Sequence, residues 1–374
     1  MRVLYCTDTY PPQVNGVSVV TALSVAGLRE RGWDVHVVAP KYPDNDAASN
    51  DPDMTALPSM PLPLYPDVRL VLPNYAAVRG AIDRFKPDIV HCATEFIVGR
   101  VGQLAAQRAG VPIVTSYHTD FSRYMTSYGV PWLAKPVANY LARFHLRARR
   151  TFTPSKASRA DLVKLGVPDV VVWGCGVDAE RFNPSRRSQE LRVKLRIDGA
   201  FTFLYVGRLA AEKGVDVVVE AYRRAEATLP HGATRLVIAG SGPEEKRLKA
   251  TAPPGTVFLG FLERNTALPQ LYASADAFAF ASTTETLGLV VLEAMASGIS
   301  VIATPAGGVA EHLRDGENGL AYPANDVDAC AAAMVRLVTD GSLSVKLRSG
   351  ARRTAEALTW SAELDRLDAS YRNL

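Results

Sequence analysis

The sequence predicts an α/β protein with two doubly wound parallel sheets. Short runs of β-branched and aromatic residues alternate with longer helical stretches, and this alternation restarts at Phe201 after the polar stretch 183–189. The runs are apolar almost throughout, as expected of parallel strands that helices cover on both faces. A length of 374 residues, against a typical domain of about 150 residues, leaves room for two such domains.

The strands are predicted at regular intervals along both halves. In the first half they are Arg2 to Thr7, Val35 to Pro40, Asp88 to Ala93, Pro112 to His118, Arg150 to Pro154 and Val170 to Trp173. In the second half they are Phe201 to Gly207, Thr234 to Ala239, Val257 to Phe261, Ala277 to Ala281 and Ser300 to Thr304. We therefore expect one domain over 1–185 and another over 190–358, with ligands bound at the carboxyl ends of the strands, across the cleft between the two sheets. The segment 41–66 contains six prolines and is predicted to be a loop.

Composition excludes several classes of protein. With 48% hydrophobic and 21% charged residues the chain is neither disordered nor collagen-like, and no apolar run reaches the roughly 18 residues of a membrane span. The four cysteines are far apart, which argues against a zinc site and against a disulfide framework. The first residues are too short an apolar run for a signal peptide, so we expect a cytoplasmic protein.

A glycine follows the first predicted strand, immediately before a helical stretch that begins at Ser18. Gly16 would let a phosphate or a sugar approach the backbone N–H groups at a positive helix terminus. An ordinary turn glycine explains this single residue equally well.

Two cations follow the first strand of the second half. Arg208 and Lys213 stand in the sequence Gly-Arg-Leu-Ala-Ala-Glu-Lys-Gly, which leads into a helix over Val215 to Thr228. An arginine fork and a lysine point charge at such a turn can neutralise a diphosphate without a metal. Taken singly, each of these two cations could equally be an ordinary solvated residue at the protein surface.

Two glutamates lie eight residues apart in the sequence Thr284 to Gly298. At 1.5 Å per helical residue, Glu285 and Glu293 would be about 12 Å apart, near the reach from a sugar to a ribose across a diphosphate. The backbone N–H groups of 286–289 would face the phosphates, and both carboxylates would accept hydrogen bonds from hydroxyls. Glu285 could instead only favour the helix N-terminus, but Glu293 lies in an apolar run where a carboxylate needs a partner.

A histidine ends the fourth strand of the first half. His118, followed by Asp120, could form a positioned donor and acceptor pair, although a histidine satisfied by a neighbouring carbonyl is the commoner case. Three Asp-x-Asp triplets could suggest a metal site, and they lie at 44–46, 51–53 and 326–328. All three fall in polar loops away from predicted strand ends, so we predict no metal.

Together these motifs resemble the retaining GT-B glycosyltransferases of family four. Within that family, the segments 10–17, 116–121, 173–178 and 284–288 are similar to a bacterial subgroup. The subgroup contains GDP-mannose-dependent α-mannosyltransferases, phosphatidylinositol mannosyltransferases and sulfoquinovosyldiacylglycerol synthases. The chain departs from the wider family at Asn15, which replaces the first of a glycine pair, at Thr286-Leu287, which replaces Pro-Phe, and at Cys175.

The resemblance implies a role for each matching residue. It implies that Arg208 and Lys213 hold the donor diphosphate, that Glu285 binds the sugar hydroxyls and Glu293 the ribose, and that His118 contacts the transferred sugar. Further donor contacts are implied at Gly16, Gly240, Thr286, Leu287, Gly288 and Leu289, and acceptor contacts at Asn15, Tyr117 and Asp120. It also implies a metal-free reaction in which the leaving diphosphate takes the acceptor's proton, and a last helix, within 360–374, that packs back on the first domain.

The acceptor is predicted from the charge pattern. Residues 1–190 carry 22 lysines and arginines against 17 acidic residues, a net +5, and the segment 134–150 has five cations and no acidic residue. We predict a basic amphipathic helix there, with Val137, Tyr140, Leu141, Phe144 and Ala148 on one face. It would serve either as an anionic-membrane surface, at the inner face of the plasma membrane, or as a core-packed helix with a solvated basic side. No nucleic-acid partner is expected.

The favoured reaction is transfer of mannose from GDP-mannose to a lipid or glycan hydroxyl. The alternatives are a UDP-sugar-dependent glucosyl- or sulfoquinovosyltransferase acting on diacylglycerol, and a nucleotide-sugar epimerase of the same fold. A sugar-binding protein that closes on its ligand is a third, non-enzymatic reading, but such proteins are usually exported.

Overall fold

The structure is a computed structural model that describes residues 1–13, 15–42, 53–62, 65–118, 130–174 and 176–374. Its described residues form two compact units. One unit comprises residues up to 118, residues 132–174 and residues 361–374, and the other is built mainly from 176–360.

The described part of the first unit contains nine strands. They are β1 (Arg2–Cys6), β2 (Asp34–Pro40), β3 (Met54–Leu57), β4 (Ser59–Leu62), β5 (Tyr65–Val71), β6 (Ile89–Cys92), β7 (Ile113–Ser116), β8 (Arg150–Thr153) and β9 (Val170–Val172). Seven of them form one parallel sheet in the order β3-β2-β1-β6-β7-β8-β9. This confirms the doubly wound sheet predicted for the first half.

The prediction of a loop over 41–66 is wrong for its second part. There β3 extends the main sheet, and β4 pairs with β5 in a separate antiparallel ribbon. The prolines that suggested a loop, such as Pro61, are tolerated because a two-stranded ribbon has free edges where no N–H donor is needed. Residues 43–52 lie outside the described part.

The described residues of the first unit contain five α-helices before its C-terminal element. They are α1 (Gly16–Glu30), α2 (Tyr75–Phe85), α3 (Ile97–Ala109), α4 (Ala134–His145) and α5 (Lys156–Lys164). The basic segment 134–150 is therefore not one helix, since Arg150 already starts β8. Leu141 and Phe144 are buried as predicted for its apolar face, whereas Tyr140 is 42% exposed.

The second unit repeats the architecture with six strands and eight helices in its described residues. The strands are β10 (Phe201–Val206), β11 (Thr234–Ala239), β12 (Val257–Gly260), β13 (Ala277–Phe280), β14 (Ser300–Ala303) and β15 (Leu320–Ala321). They are parallel, in the order β12-β11-β10-β13-β14-β15. The helices are α6 (Gln189–Lys194), α7 (Val215–Thr228), α8 (Glu245–Thr251), α9 (Ala267–Ser274), α10 (Leu289–Ala296), α11 (Val309–His312), α12 (Val327–Thr339) and α13 (Gly341–Glu356).

In each sheet the chain reverses its direction of strand addition at the first strand. β1 lies between β2 and β6, and β10 lies between β11 and β13. The crevice beyond the carboxyl end of such a strand is where doubly wound sheets bind ligands. The segments that follow β1 and β10 contain Asn15 and Gly16 in one unit and Arg208 and Lys213 in the other.

The last helix, α14 (Trp360–Arg372), belongs from Ser361 onward to the first unit. Its Leu364, Leu367 and Tyr371 are buried, and Arg31, the C-cap of α1, forms an ion pair with Asp365 at 2.7 Å. None of the helices in the described ranges has the length and apolar character that a bilayer span requires.

Candidate active site

The loop after β10 is held by its neighbour after β11. The amide of Leu209 donates to the Ser241 carbonyl at 2.9 Å, and the Glu244 amide donates to the Leu209 carbonyl at 2.9 Å. Gly240 has φ +136°, and a Cβ there would overlap the Gly207 carbonyl. Glycine is therefore required at 240 so that the two strand-end loops can touch, and this contact fixes the backbone that carries Arg208.

Lys213 and Glu285 form an ion pair in this loop region. The Lys213 Nζ atom lies 2.5 Å from Glu285 Oε1, and the two side chains are only 17% and 15% exposed. They are 72 residues apart in sequence, so the sequence predicted both residues but not their contact. Because water is largely excluded, the charge of Lys213 is only partly screened toward a ligand.

Arg208 lies on the same loop, five residues before Lys213. Its carbonyl accepts a hydrogen bond from the Tyr205 hydroxyl at 3.2 Å. Burial, together with the nearby charges of Glu285 and Glu212, holds the pKa of Tyr205 well above its usual value, so this phenol stays protonated. The neutral Tyr205 hydroxyl therefore donates its hydrogen bond to the backbone of the loop that carries Arg208 and Lys213.

The segment 284–288 is fixed by a pair of glycines that the sequence analysis missed. The Gly308 amide donates to the Glu285 carbonyl at 2.8 Å, and a Cβ on Gly307, whose φ is +54°, would overlap the same carbonyl. The predicted helix begins at Leu289 rather than directly after Glu285, with Gly288 in the left-handed region as its N-cap. Thr286, Leu287 and Gly288 therefore form a turn that leads into α10.

Glu293 lies inside the second unit, in the second turn of α10. It is 3% exposed, and its Oε1 accepts hydrogen bonds from Arg264 Nε at 3.0 Å and Nη2 at 2.6 Å. Burial raises the pKa of Glu293, and the Arg264 guanidinium opposes that shift. The partner that an apolar surrounding demands is thus Arg264, which the sequence analysis did not identify because it lies 29 residues away in the loop after β12.

In the first unit, Asn15 caps α1 and Gly16 is its first residue. The Asn15 side chain accepts from the Ser18 amide at 2.9 Å and donates to the Thr9 hydroxyl at 2.8 Å. A Cβ on Gly16 would meet no atom of the described residues within 4 Å. Packing among the described residues therefore does not demand a glycine at 16, unlike at 240.

His118 and Tyr117 follow β7 and are both buried. Burial and the neighbouring His145 lower the pKa of His118 to about 4, so the ring is neutral at physiological pH. The Tyr117 ring meets His145 edge-on with centroids 5.7 Å apart. The predicted acceptor-side residue Asp120 and the departure at Cys175 lie outside the described residues.

A buried hydrogen-bonded network behind these residues was not predicted. His91 bonds to the Tyr371 hydroxyl through Nδ1 and to Ser116 Oγ at 2.7 Å through Nε2, and Tyr371 bonds to the Tyr5 hydroxyl at 2.8 Å. The signal was a histidine in the middle of the apolar strand β6, where a polar group needs partners. This network ties α14 to the sheet of the first unit.

The Asp-x-Asp triplets have structural partners wherever they are described. Asp326 caps α12 by accepting from the Ala329 amide at 2.9 Å. Asp328 pairs with Arg224 at 2.5 Å, and Asp53 pairs with Arg29 at 3.4 Å. The remaining members, Asp44, Asp46 and Asp51, fall outside the described part.

Two family models match adjacent halves of the chain. The Glycosyltransferase Family 4 model matches residues 14–181, and the model of glycosyl transferases group 1 matches residues 187–354. A GDP-mannose-dependent alpha-mannosyltransferase of Mycobacterium tuberculosis is 35% identical over 99% of this chain and 96% of its own length. The sulfoquinovosyl transferase of Arabidopsis thaliana is also 35% identical, over 81% of this chain and 60% of its own.

Solved structures share the fold. The Anabaena protein HepE in complex with UDP-glucose superposes with a TM-score of 0.79 at 22% identity, over the whole of both chains. Sucrose-phosphate synthase from Thermosynechococcus elongatus gives a TM-score of 0.82 at 21% identity, over the whole of this chain and 98% of its own. Both sheets, both family models and the full-length relative agree, and the chain belongs to the family-four glycosyltransferases of the GT-B fold, which makes it a transferase rather than a sugar-binding protein.

Proposed function

We propose that the enzyme transfers mannose from GDP-mannose to a hydroxyl of a lipid or glycan acceptor, with retention of configuration and without a metal. One observation carries the proposal. The ion pair of Lys213 and Glu285 lies at the carboxyl ends of the strands of a doubly wound sheet, a type of sheet that binds nucleotides there. The chain is related over 99% of its length to a protein named as a GDP-mannose-dependent mannosyltransferase.

The cations of the loop after β10 suit the leaving diphosphate. As the bond from the sugar to the phosphate breaks, negative charge grows on the diphosphate, and Lys213 and Arg208 would stabilise it electrostatically. Glu285 holds the ammonium at 2.5 Å, and its second oxygen would accept a hydrogen bond from a sugar hydroxyl. Fixed charges of this kind need no reorganisation during the reaction.

Retention follows if the acceptor attacks from the side on which the diphosphate leaves. The departing phosphate oxygen then accepts the acceptor's proton while the new glycosidic bond forms, so no protein base is needed. The lowered pKa of His118, about 4, supports a neutral hydrogen-bonding role rather than proton transfer at pH 7. The contacts of Gly16, His118, Asn15, Tyr117 and Asp120 with substrates stay predictions.

A metal-free reaction is supported by the two cations themselves. Two positive charges beside a diphosphate supply the neutralisation that a divalent ion supplies elsewhere. The described carboxylates of the Asp-x-Asp triplets are meanwhile engaged as a helix cap and as surface ion pairs.

Transfer of glucose or sulfoquinovose from a UDP-sugar is the second candidate, and the names of two relatives support the transferred sugar. The Arabidopsis relative is a sulfoquinovosyl transferase, and an alpha-monoglucosyldiacylglycerol synthase of Streptococcus pneumoniae is 32% identical over 81% of this chain. Under this alternative the product would be a glucosyl or sulfoquinovosyl lipid. An epimerase would differ from both, because it would turn over the donor without any acceptor.

The test is product analysis in the presence of EDTA. GDP-mannose and UDP-glucose are each incubated with enzyme and with lipid or glycan acceptors, and the anomeric proton of the product is read by NMR. Mannose transfer with an α-linkage from GDP-mannose is expected. A β-linkage would overturn retention, complete loss of activity on chelation would overturn metal independence, and transfer from UDP-glucose alone would replace mannose by the second candidate.

We also propose that the surface around α4 contacts anionic lipid. Its helix presents Lys135 and Arg143 to solvent, Trp132 is 72% exposed, and Leu146 is 48% exposed. Exposed apolar side chains interspersed with cations favour the interface of an anionic bilayer. Arg150 is excluded from this surface, because it pairs with Asp169 at 2.9 Å and bonds to Ser370.

Vesicle sedimentation tests this surface. The native enzyme is expected to sediment with anionic vesicles and not with neutral ones, and the double variant Lys135→Glu/Arg143→Glu to lose that binding. Lys346→Glu, an exposed site on α13, is the matched control and should bind as the native enzyme does. Equal sedimentation with anionic and neutral vesicles would refute the proposal.

A further inference from the structure

The ion pair of Arg264 and Glu293 is more specific than a buried charge requires. Both hydrogen bonds from the guanidinium, from Nε at 3.0 Å and Nη2 at 2.6 Å, go to the same oxygen, Oε1. Among the described residues none donates a hydrogen bond of normal geometry to Oε2, although the buried Tyr272 hydroxyl also faces this carboxylate. A purely structural ion pair would more often engage both carboxylate oxygens in a fork.

Arg264 is held in place by a buried aromatic ring and by a hydrogen-bonded turn. Its guanidinium lies 5.5 Å from the centre of the Phe182 ring, which is fully buried. The preceding residue, Glu263, accepts hydrogen bonds from the amides of Asn265 and Thr266 at 2.9 Å and 2.7 Å, which fixes the turn that carries Arg264. The arginine therefore approaches Glu293 with a defined geometry, and its side chain is only 15% exposed.

Arg264 also has an electrostatic effect on the buried carboxylate of Glu293. Burial disfavours the ionised form of Glu293, and a protonated carboxyl accepts fewer hydrogen bonds from hydroxyl groups than a carboxylate does. The groups that face this carboxyl are Arg264, Tyr272 of α9 and Arg181. Of these only Arg264 forms an ion pair with it.

We infer that Arg264 is a positioning residue for the donor ribose: it occupies Oε1 of Glu293, so that Oε2 is directed to the ribose hydroxyls of the nucleotide. The inference rests on the proposed transfer from a nucleotide sugar and on the ribose contact that the family resemblance implies for Glu293, and it deepens both. Arg264 itself touches the carboxylate and not the substrate.

The experiment compares a ribonucleotide with its dideoxy analogue. GDP and 2′,3′-dideoxy-GDP are titrated calorimetrically into the native enzyme and into Arg264→Met, Glu293→Gln, the double variant and Arg264→Lys; UDP and its analogue are used instead if the native enzyme selects UDP. The native enzyme is expected to bind the ribonucleotide about tenfold more tightly, the worth of a hydrogen bond to a charged group. Arg264→Met and Glu293→Gln should each abolish that preference while leaving the dideoxy affinity unchanged. The double variant should lose no more, and Arg264→Lys should restore part of the preference.

Each contrary outcome points to a different error. If Glu293→Gln loses the preference for ribose and Arg264→Met keeps it, the positioning role of Arg264 is wrong and the ribose role of Glu293 stands. If Arg264→Met weakens both ligands equally, its role is structural and the inference is again wrong. If Glu293→Gln keeps the preference, the ribose role of Glu293 is wrong and the inference falls with it, whereas the donor site at Lys213 stands. If the native enzyme binds neither nucleotide, the proposed donor site itself fails.

A matched control separates loss of an arginine from loss of this arginine. Arg187 pairs with Asp276 at 2.9 Å in the same unit, and Arg187→Met should keep the full preference for ribose. Thermal unfolding of every variant establishes that it is folded, and Arg264→Lys keeps the inference testable if Arg264→Met does not fold.

Discussion

The two units share a strand order but hold their buried polar groups in different ways. The first unit uses neutral groups, with His91 and His118 kept uncharged by burial and the network of Tyr5, His91, Ser116 and Tyr371 at its centre. The second unit uses ion pairs of a lysine or arginine with a glutamate, as in Lys213 with Glu285 and Arg264 with Glu293. The same type of sheet can therefore hold its buried polar groups either through neutral hydrogen bonds or through ion pairs.

The difference in buried polar groups between the two units fits a difference in the ligands that they would bind. A site for a diphosphate needs positive charge that persists across the physiological pH range, and lysine and arginine supply it. Neutral imidazoles and hydroxyls suit a region that binds uncharged hydroxyl groups. Variants that remove a charge from the second unit should therefore cost more than variants that remove a hydroxyl from the first.

The largest loss of stability is expected at Arg192. This arginine is 5% exposed and donates to the carbonyls of Ser274, Ile197 and Ala200 while it pairs with Asp276. Arg192→Met should lower the free energy of unfolding by about 3–5 kcal/mol, because a buried charge and buried carbonyls lose their partner. Calorimetric unfolding measures this.

The exposed Arg247, which pairs with Glu244 at 2.5 Å, provides the comparison for Arg192. Its substitution by Met should change stability by less than about 1 kcal/mol. Equal losses of unfolding free energy for the two substitutions would show that the buried charges do not contribute more to the stability of the second unit than exposed ones do.

The next largest effect concerns turnover. Lys213→Ala should reduce kcat about 100-fold, the worth of one electrostatic donor to developing charge, and Glu285→Ala should reduce it at least tenfold. The fold should stay intact, since both side chains lie at a strand-end loop. Steady-state kinetics with Lys249→Ala as the control, an exposed lysine paired with Glu245, distinguishes loss of this charge from loss of any charge. Near-normal kinetics in both active-site variants would refute the assignment.

The first unit should lose stability in acid through its neutral histidines. The pKa of His118 is about 4 in the folded state and about 6.5 in the unfolded state, so below pH 6.5 the unfolded chain takes up a proton that the folded one does not. Stability therefore falls as the pH drops from about 6.5 toward 4 and is constant above. His118→Gln should flatten this dependence by about 1.4 kcal/mol per pH unit.

Urea unfolding followed by tryptophan fluorescence measures this slope, because Trp33, Trp132 and Trp173 all lie in the first unit. The buried carboxyls Glu95 and Asp8 have raised pKa values, so their effect on the pH dependence of stability is opposite in sign to that of His118. Both carboxyls are present in the native protein and in His118→Gln, so their contribution cancels when the two slopes are subtracted. The exposed His231 of the second unit is the control. An unchanged slope in His118→Gln would mean that His118 is charged in the folded state.

The smallest effect is expected from a single hydroxyl. Tyr371→Phe removes the bonds to His91 and Tyr5 without changing the shape of the core, and should cost about 1 kcal/mol. Tyr42→Phe, which removes the bond to Gln13 at 2.9 Å in a partly buried position, serves for comparison. A loss at Tyr371 as large as that at Arg192 would break the contrast between the two units.

Much of the fold could be predicted because its signals are local. The strands β1, β10 and β11 are apolar runs bounded by glycine or polar residues, and helix α7 was predicted with its observed ends. The ribbon of β4 and β5 could not be predicted, because prolines indicate a loop unless the strand partner is known. The end of α4 at His145 was missed for a similar reason, since the basic composition continues into β8.

Residue types indicate candidates for the site in the sequence, but the contacts between them could not be predicted. Glu293 in an apolar run requires a partner, yet nothing in the sequence distinguishes Arg264 from other arginines that follow strands. The sequence likewise does not reveal that glycine is required at 307 and 308, because that requirement arises only where two strand-end loops touch. Local chemistry therefore identifies candidates, and the tertiary fold decides which of them meet.

The most direct test of the account is the donor specificity of the second unit. Metal-free native enzyme and Lys213→Ala are titrated calorimetrically with GDP, UDP and ADP. We predict that the native enzyme binds GDP most tightly and that Lys213→Ala binds it at least tenfold more weakly. Failure of the native enzyme to bind any of the three nucleotides would contradict the donor site at the carboxyl end of β10.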